Sequence, residues 1–126
     1  HRMGQRQLVS HYLDPGWMVP SPGQGALGIE VREGDDRSLE AARMVADSEA
    51  EAACTAERAV MLAAGGSCQI PLGVYAAQDA ELWNLYVFFD PPAGKPISLG
   101  WRGADLDVGV AWAVQEVGGR SREAQG

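Results

Sequence analysis

Residues 73–101 read GVYAAQDAELWNLYVFFDPPAGKPISLGW, and this stretch decides the fold. Valine, leucine and aromatic residues gather in three short runs: Gly73 to Ala77, Glu81 to Phe89 and Pro96 to Trp101. Such residues suit a pleated, half-buried surface. Gln78-Asp79-Ala80 is short enough to close a hairpin, and Pro91 to Gly94 breaks the chain between the second and third runs. Consecutive strands joined this tightly pair antiparallel. The stretch therefore spells a three-stranded meander.

Helices flank it on both sides. Upstream, Asp47-Ser48 can cap a helix that has Glu49 and Glu51 in its first turn, where acids suit the helix dipole. Ala53, Ala56, Val60 and Ala64 then recur at helical spacing, and Gly65-Gly66 should end the element. Downstream, a helix from about Asp105 to Val117 would turn Leu106, Val110, Ala113 and Val117 inward. The residues after it, 119–126, are polar and read as a disordered tail. Helix, meander and helix together make an α+β unit over residues 47–118.

Residues 1–46 do not close on themselves. Residues 1–12 read as the end of a helix, Leu13-Asp14-Pro15-Gly16 as a turn, and Pro20-Ser21-Pro22 as an irregular path. Ala26 to Val31 reads as a short buried strand, Gly34-Asp35-Asp36 as a turn, and Leu39 to Ala46 as a short helix. A lone strand satisfies neither its backbone groups nor both its faces. With His1 where an initiator Met would stand, this is the pattern expected of the later part of a longer chain.

Composition narrows the function classes. A net charge of −7, with ten scattered Lys and Arg residues, offers no basic stripe for nucleic acid. No apolar run approaches the roughly 20 residues of a membrane helix, and the start does not read as a signal peptide. Cys54 and Cys68 form neither a disulfide framework nor a C-x-x-C pair, and His1 and His11 are not at metal-ligand spacing with them. No metal site is expected, and a reducing cytoplasm is the expected compartment.

GQGALG, at residues 23–28, matches G-x-G-x-x-G. A dinucleotide fingerprint needs a strand before it and a helix after it. Here Pro20-Ser21-Pro22 precedes it and the β-like Ile29-Glu30-Val31 follows, so that reading fails. The glycines are better explained by a backbone passing close to a ligand or to another segment. Gln24 between them is either a side chain presented at that approach or one bonded to a neighbouring loop.

Three stretches resemble one family. Pro20 to Glu30 is similar to the P-x-x-G-Q-G-A-[LV]-G-I-E motif of porphobilinogen deaminase, also called hydroxymethylbilane synthase. Thr55-Ala56-Glu57-Arg58-Ala59 and Gly66 to Gly73 resemble its T-A-E-R-A and G-G-C-Q-[VI]-P-[IV]-G. Order and separation suit the family from residue 1 through the final helix, and cover only the C-terminal part of the enzyme. The resemblance implies a transferase of porphyrin and haem biosynthesis that adds porphobilinogen units to a dipyrromethane cofactor and releases a linear tetrapyrrole. It implies that Cys68 carries the cofactor as a thioether, that Arg2 binds pyrrole carboxylates, and that Gln24 and Gly25 lie near the substrate.

On its own chemistry Cys68 is an accessible thiol on a loop behind two glycines. A helix C-terminus before it does not favour a thiolate. Arg2 could equally be a solvated terminal side chain. Cys54 reads as packing, Arg58 as an ion-pair partner that positions its helix, and Glu30 and Arg32 as structural. The chain departs from the family's L-E-G-G at Gly65 and Ser67, which puts the conformation of the Cys loop in question.

The family's catalytic Asp and basic cleft belong to N-terminal domains, so no catalytic residue is expected in this chain. Residues 1–46 would be a remnant of domains 2 and 1, whose two-lobed α/β architecture resembles periplasmic binding proteins. Residues 47–118 would be the cofactor-attachment domain. The expected parent is a monomer without nucleic-acid or membrane partners, and the isolated chain is expected to be inactive. The alternative is a non-catalytic relict or binding and assembly module.

Overall fold

The computed structural model describes residues 3–66 and 70–123. After a single 3-10 turn at Arg6–Leu8 come α1 (Asp36–Met44), α2 (Ser48–Ala63), β1 (Leu72–Asp79), β2 (Leu82–Phe89), β3 (Ile97–Gly103) and α3 (Leu106–Glu123). The strands form one antiparallel sheet in the order β1-β2-β3. The fold is α+β, as the meander implied.

Alternation along the strands sorts the two faces of the sheet. Val74 and Ala76 of β1 lie opposite Val87 and Leu85 of β2, and all four are buried under α2 and α3. Helix α2 lies over β1, and α3 over β2 and β3. Ala56, Val60, Ala64, Ala113 and Val117 complete the core from the helices, with Phe89 at the end of β2. Fully burying a Val, Leu or Phe contributes roughly 1.5–3 kcal/mol each, so this interface supplies most of the apolar stabilisation. The core residues all lie between Ala56 and Val117.

On the other face of the sheet, the chain segment before α1 meets β1 and Tyr86 of β2. The Pro20 carbonyl accepts from the Val74 amide at 2.9 Å, and Val19 lies against Gly73. A Cβ at residue 73 would stand 2.5 Å from the Val19 carbonyl oxygen, so glycine is what lets the two backbones meet. Gly16 is seated against the ring of Tyr86 in the same way.

Several boundaries differ from the sequence reading. Ala26 to Val31 is not a buried strand: the segment is unpaired, Leu27 is 95% exposed and Ile29 59%. It pairs with none of the described strands, so its backbone joins no ladder. The N-terminal residues form the Arg6–Leu8 turn rather than a helix end, without any buried side chain to hold a longer one. Helix α1 starts at Asp36 rather than Leu39, because Asp35 caps it by accepting from the Ser38 amide at 3.0 Å. The first hairpin closes on Ala80 and Glu81, with Asp79 still paired to Leu82. Strand β3 extends past Trp101, its Arg102 bonded to Asp79 at 2.9 Å.

Helix α3 continues to Glu123 instead of ending at Val117. Val117 and Gly118 are buried, and the Ser121 hydroxyl donates to the Ala64 carbonyl at 3.3 Å. Packing against the end of α2 overrides the poor helix propensity of Gly118 and Gly119. Residues 124–126 of the expected tail lie outside the described residues.

Candidate functional site

Two segments that the sequence singled out meet around the edge of β1. The first is the turn at residues 21–25. Gln24 donates its amide to the Ser21 carbonyl and Ala26 donates to Gly23, each at 3.1 Å. Gly23 and Gly25 take positive φ values of 71° and 88°, which L side chains rarely adopt. The fingerprint spelling therefore forms neither the end of a strand nor the start of a helix, and these glycines serve a tight reversal.

Gln24 is exposed, and its side-chain carbonyl accepts from the Ser21 amide at 3.2 Å. That bond stays within the turn and leaves the side-chain NH2 group without a partner among the described residues. Gly25 has nothing within 4 Å of where a Cβ would stand. Both residues sit at an open surface.

The second segment is α2 and the loop that follows it. Asp47 caps the helix through the amides of Glu49 and Ala50, at 3.0 and 3.1 Å. At the other end, Gly66 donates to Met61 and Gly65 to Leu62, the paired reversal that uses glycine to stop a helix. The chain leaves α2 at Gly66 and re-enters the described structure at Ile70, just before β1. Cys68 and Arg2, two of the four expected site residues, lie outside the described residues.

Glu57 joins the two segments. Its side chain is 5% exposed, yet it carries a carboxylate. One oxygen, Oε2, accepts from the Gly23 amide at 2.6 Å, and the other, Oε1, accepts from the Ala76 amide at 2.9 Å. A buried carboxylate is costly unless bonded, and these two charge-assisted bonds offset that cost. The amides of Val74 and Ala76 point to the same free edge of β1, where one is met by Pro20 and the other by Glu57. The edge strand is thereby covered by the turn segment.

The sequence reading gave Glu57 no role. A signal was present, because residue 57 falls on the same helical face as Ala53, Ala56, Val60 and Ala64. An acid on an apolar stripe calls for a bonded partner. Arg58, expected to form an ion pair with an acid that could belong to another domain, is exposed and has no such partner among the described residues. Cys54 is half-buried and free, in keeping with packing.

Two further features lie elsewhere on the molecule. On α3, the Nε of Arg120 is buried without a partner among the described residues, one residue before the Ser121 contact to the end of α2. Near the start of α2, a cleft of about 460 Å³ opens between Ala52, Thr55, Ala59, Trp83, Asp105 and Asp107. It includes none of the expected site residues. Among the described residues no cluster of His, Cys, Asp and Glu could hold a metal ion, and no helix is long and apolar enough to cross a membrane.

Comparison with known proteins matches both halves of the chain. Residues 51–93 match the family model described as porphobilinogen deaminase, C-terminal domain. Residues 1–40 match the model described as porphobilinogen deaminase, dipyromethane cofactor binding domain. A porphobilinogen deaminase of Macrococcus caseolyticus is 33% identical over 126 residues, which cover 96% of this chain and 41% of that protein. One from Roseiflexus castenholzii is 38% identical over 85 residues, covering 68% of this chain and 28% of the relative. One from Staphylococcus carnosus is 46% identical over 79 residues, 62% of this chain and 26% of the relative. The chain thus spans well under half the length of the curated relatives it matches.

Proposed function

This chain belongs to the porphobilinogen deaminase family, and we propose that it supplies the cofactor-carrying part of an enzyme that condenses porphobilinogen units, with loss of ammonia, into a linear tetrapyrrole. The observation that carries the reading is the clasp between two family stretches. The GQG turn is fastened by Glu57 to β1, and β1 begins at Leu72, just beyond Cys68.

Cys68 would hold the dipyrromethane through its sulfur. The surroundings suit such a group. Before Cys68, Gly65 and Gly66 are exposed, and beyond it Ile70 is half-buried and Pro71 exposed. When bound, the cofactor supplies the pyrrole carbon on which the chain grows.

This chain's own residues bind and position. Arg2 would grip pyrrole carboxylates with its planar fork. Gln24 would offer its free NH2 group, and Gly25 would let substrate approach the backbone. The catalytic Asp and the basic cleft would come from N-terminal domains of the two-lobed, periplasmic-binding-protein-like kind. Residues 1–46 would pack with those domains, and residues 47–118 would be the cofactor-attachment domain of a cytoplasmic, monomeric enzyme.

A chain of net charge −7 cannot by itself neutralise a growing polycarboxylate. Isolated, it should leave porphobilinogen unconsumed. Co-expressed with the N-terminal domains of the Roseiflexus castenholzii relative, it should restore consumption, and Cys68→Ala should abolish it. Consumption that survives Cys68→Ala would sink the reading.

A further inference from the structure

We propose that Glu57 is the positioning residue of the Gly23–Gly25 turn, clamping it to the edge of β1 so that Gln24 is presented from the edge of the sheet. That the turn faces substrate rests on the function proposed above; the clamp itself rests on geometry.

The turn has little else to hold it. Space is open within 4 Å of where a Cβ on Gly23 or Gly25 would stand, so no side-chain packing on that side of the turn holds the two glycines. Gln24 bonds only inside the turn. Downstream, residues 27–30 are exposed and join no strand. Upstream, the segment is attached by the Pro20–Val74 bond. Beyond it, the Glu57 carboxylate provides the turn's side-chain anchor among the described residues, at 2.6 Å from Gly23 N.

The chemistry of the anchor explains why an acid is used. The two donors are backbone amides on separate segments, and each needs an acceptor. A carboxylate offers one oxygen to each, while an amide side chain has a single carbonyl and turns its NH2 group toward the other donor. Aspartate is one methylene shorter, so its carboxylate would be drawn back toward α2 and away from both amides. Glu57 also sits on a helix that Asp47 caps and the core holds through Ala56 and Val60, so the clamp is fixed from behind. Since Ala76 lies within β1, one side chain ties the turn directly to the strand's edge.

The test uses the 126-residue chain, labelled with 15N and 13C. In the native chain, a scalar coupling through the hydrogen bond should connect Gly23 N to the Glu57 side-chain carboxyl carbon, and the Gly23 amide should exchange slowly. Glu57→Ala should speed exchange at Gly23 by at least about tenfold, with Val87 in the core still protected. Glu57→Gln should restore protection at one of Gly23 and Ala76 but not at both, which a residue needed only for packing would not produce. A native Gly23 amide that shows no coupling and exchanges at the unprotected rate overturns the proposal, and that reading needs no variant to fold. Unchanged Gly23 exchange in folded Glu57→Ala overturns it as well. None of these readouts depends on cofactor or activity, so failure of the clamp and failure of the proposed function are distinguishable.

Discussion

A β-carbon at residue 73 would stand 2.5 Å from the Val19 carbonyl oxygen and 3.0 Å from Val19 Cβ. Neither contact is the end of a flexible side chain, so the segment before α1 must move off the sheet or the strand must shift. Gly73→Ala should therefore cost about 1–3 kcal/mol of stability, read by chemical denaturation, with lost protection of the Val74 amide. An unchanged midpoint would contradict the close approach.

Asp35 makes a second residue-scale statement. The Ser38 amide, and then the Ser38 hydroxyl, hold its carboxyl below the ordinary value of 3.8. The ionised form is the one that caps α1. Its contribution is thus complete above that ordinary value and is lost as pH falls through the lowered one. The Asp35 carboxyl carbon should titrate with a midpoint below 3.8, and the Ser38 amide shift should follow it. A midpoint at or above that value would contradict the cap.

At this scale the sequence was informative where the reason for a residue is local. Glycine in a tight reversal and Asp47 as a cap were legible. Gly73 and Glu57 were not, because their reasons lie 54 and 34 positions away along the chain, at Val19 and Gly23.

At the scale of elements, the end of α2 governs how the chain enters the Cys68 loop. Gly65 stands where the family motif has an acid. Its φ of 116° is open to glycine and strained for any L side chain. Gly65→Ala should lower stability by about 1 kcal/mol, or roughly 4–8 °C in Tm for a unit of this size. The neighbouring Ile70 methyl, 3.1 Å from the added carbon, can turn aside and adds little. A rise in Tm would show that the helix does not stop there.

Element types in the meander and in α2 were readable because period and breakers agree with the packed structure. Two elements were misread for opposite reasons. Ala26 to Val31 has strand-like letters but pairs with no described strand, and propensity without a ladder did not make one. Residues 118–123 have helix-poor letters but a partner in α2, and tertiary contact won. The hairpin and the start of α1 moved by a few residues because single bonds, Asp79 to Leu82 and Asp35 to Ser38, set them.

For the molecule as a whole, the division between the two regions is the dominant feature. The core runs from Ala56 to Val117, while Met3, Tyr12, Trp17, Leu27 and Met44 are each more than 75% exposed. Local opening follows such contrasts. Amides of α2, the sheet and α3 should outlast those of residues 3–46 in hydrogen exchange, with Gly23 the exception that Glu57 makes. Uniform protection would contradict the division.

The helix–meander–helix body was legible from periodicity alone, and the family from three motifs. The clasp between them was not, since it depends on a turn and a helix meeting in space. The central claim is that this body carries the cofactor on Cys68. Its most direct test is peptide-resolved mass spectrometry of the chain co-expressed with the N-terminal domains of the Roseiflexus castenholzii relative, in cells that make porphobilinogen. The account predicts an added mass of two linked pyrrole units on Cys68, absent after Cys68→Ala. Restored porphobilinogen consumption with Cys68 unmodified would contradict it.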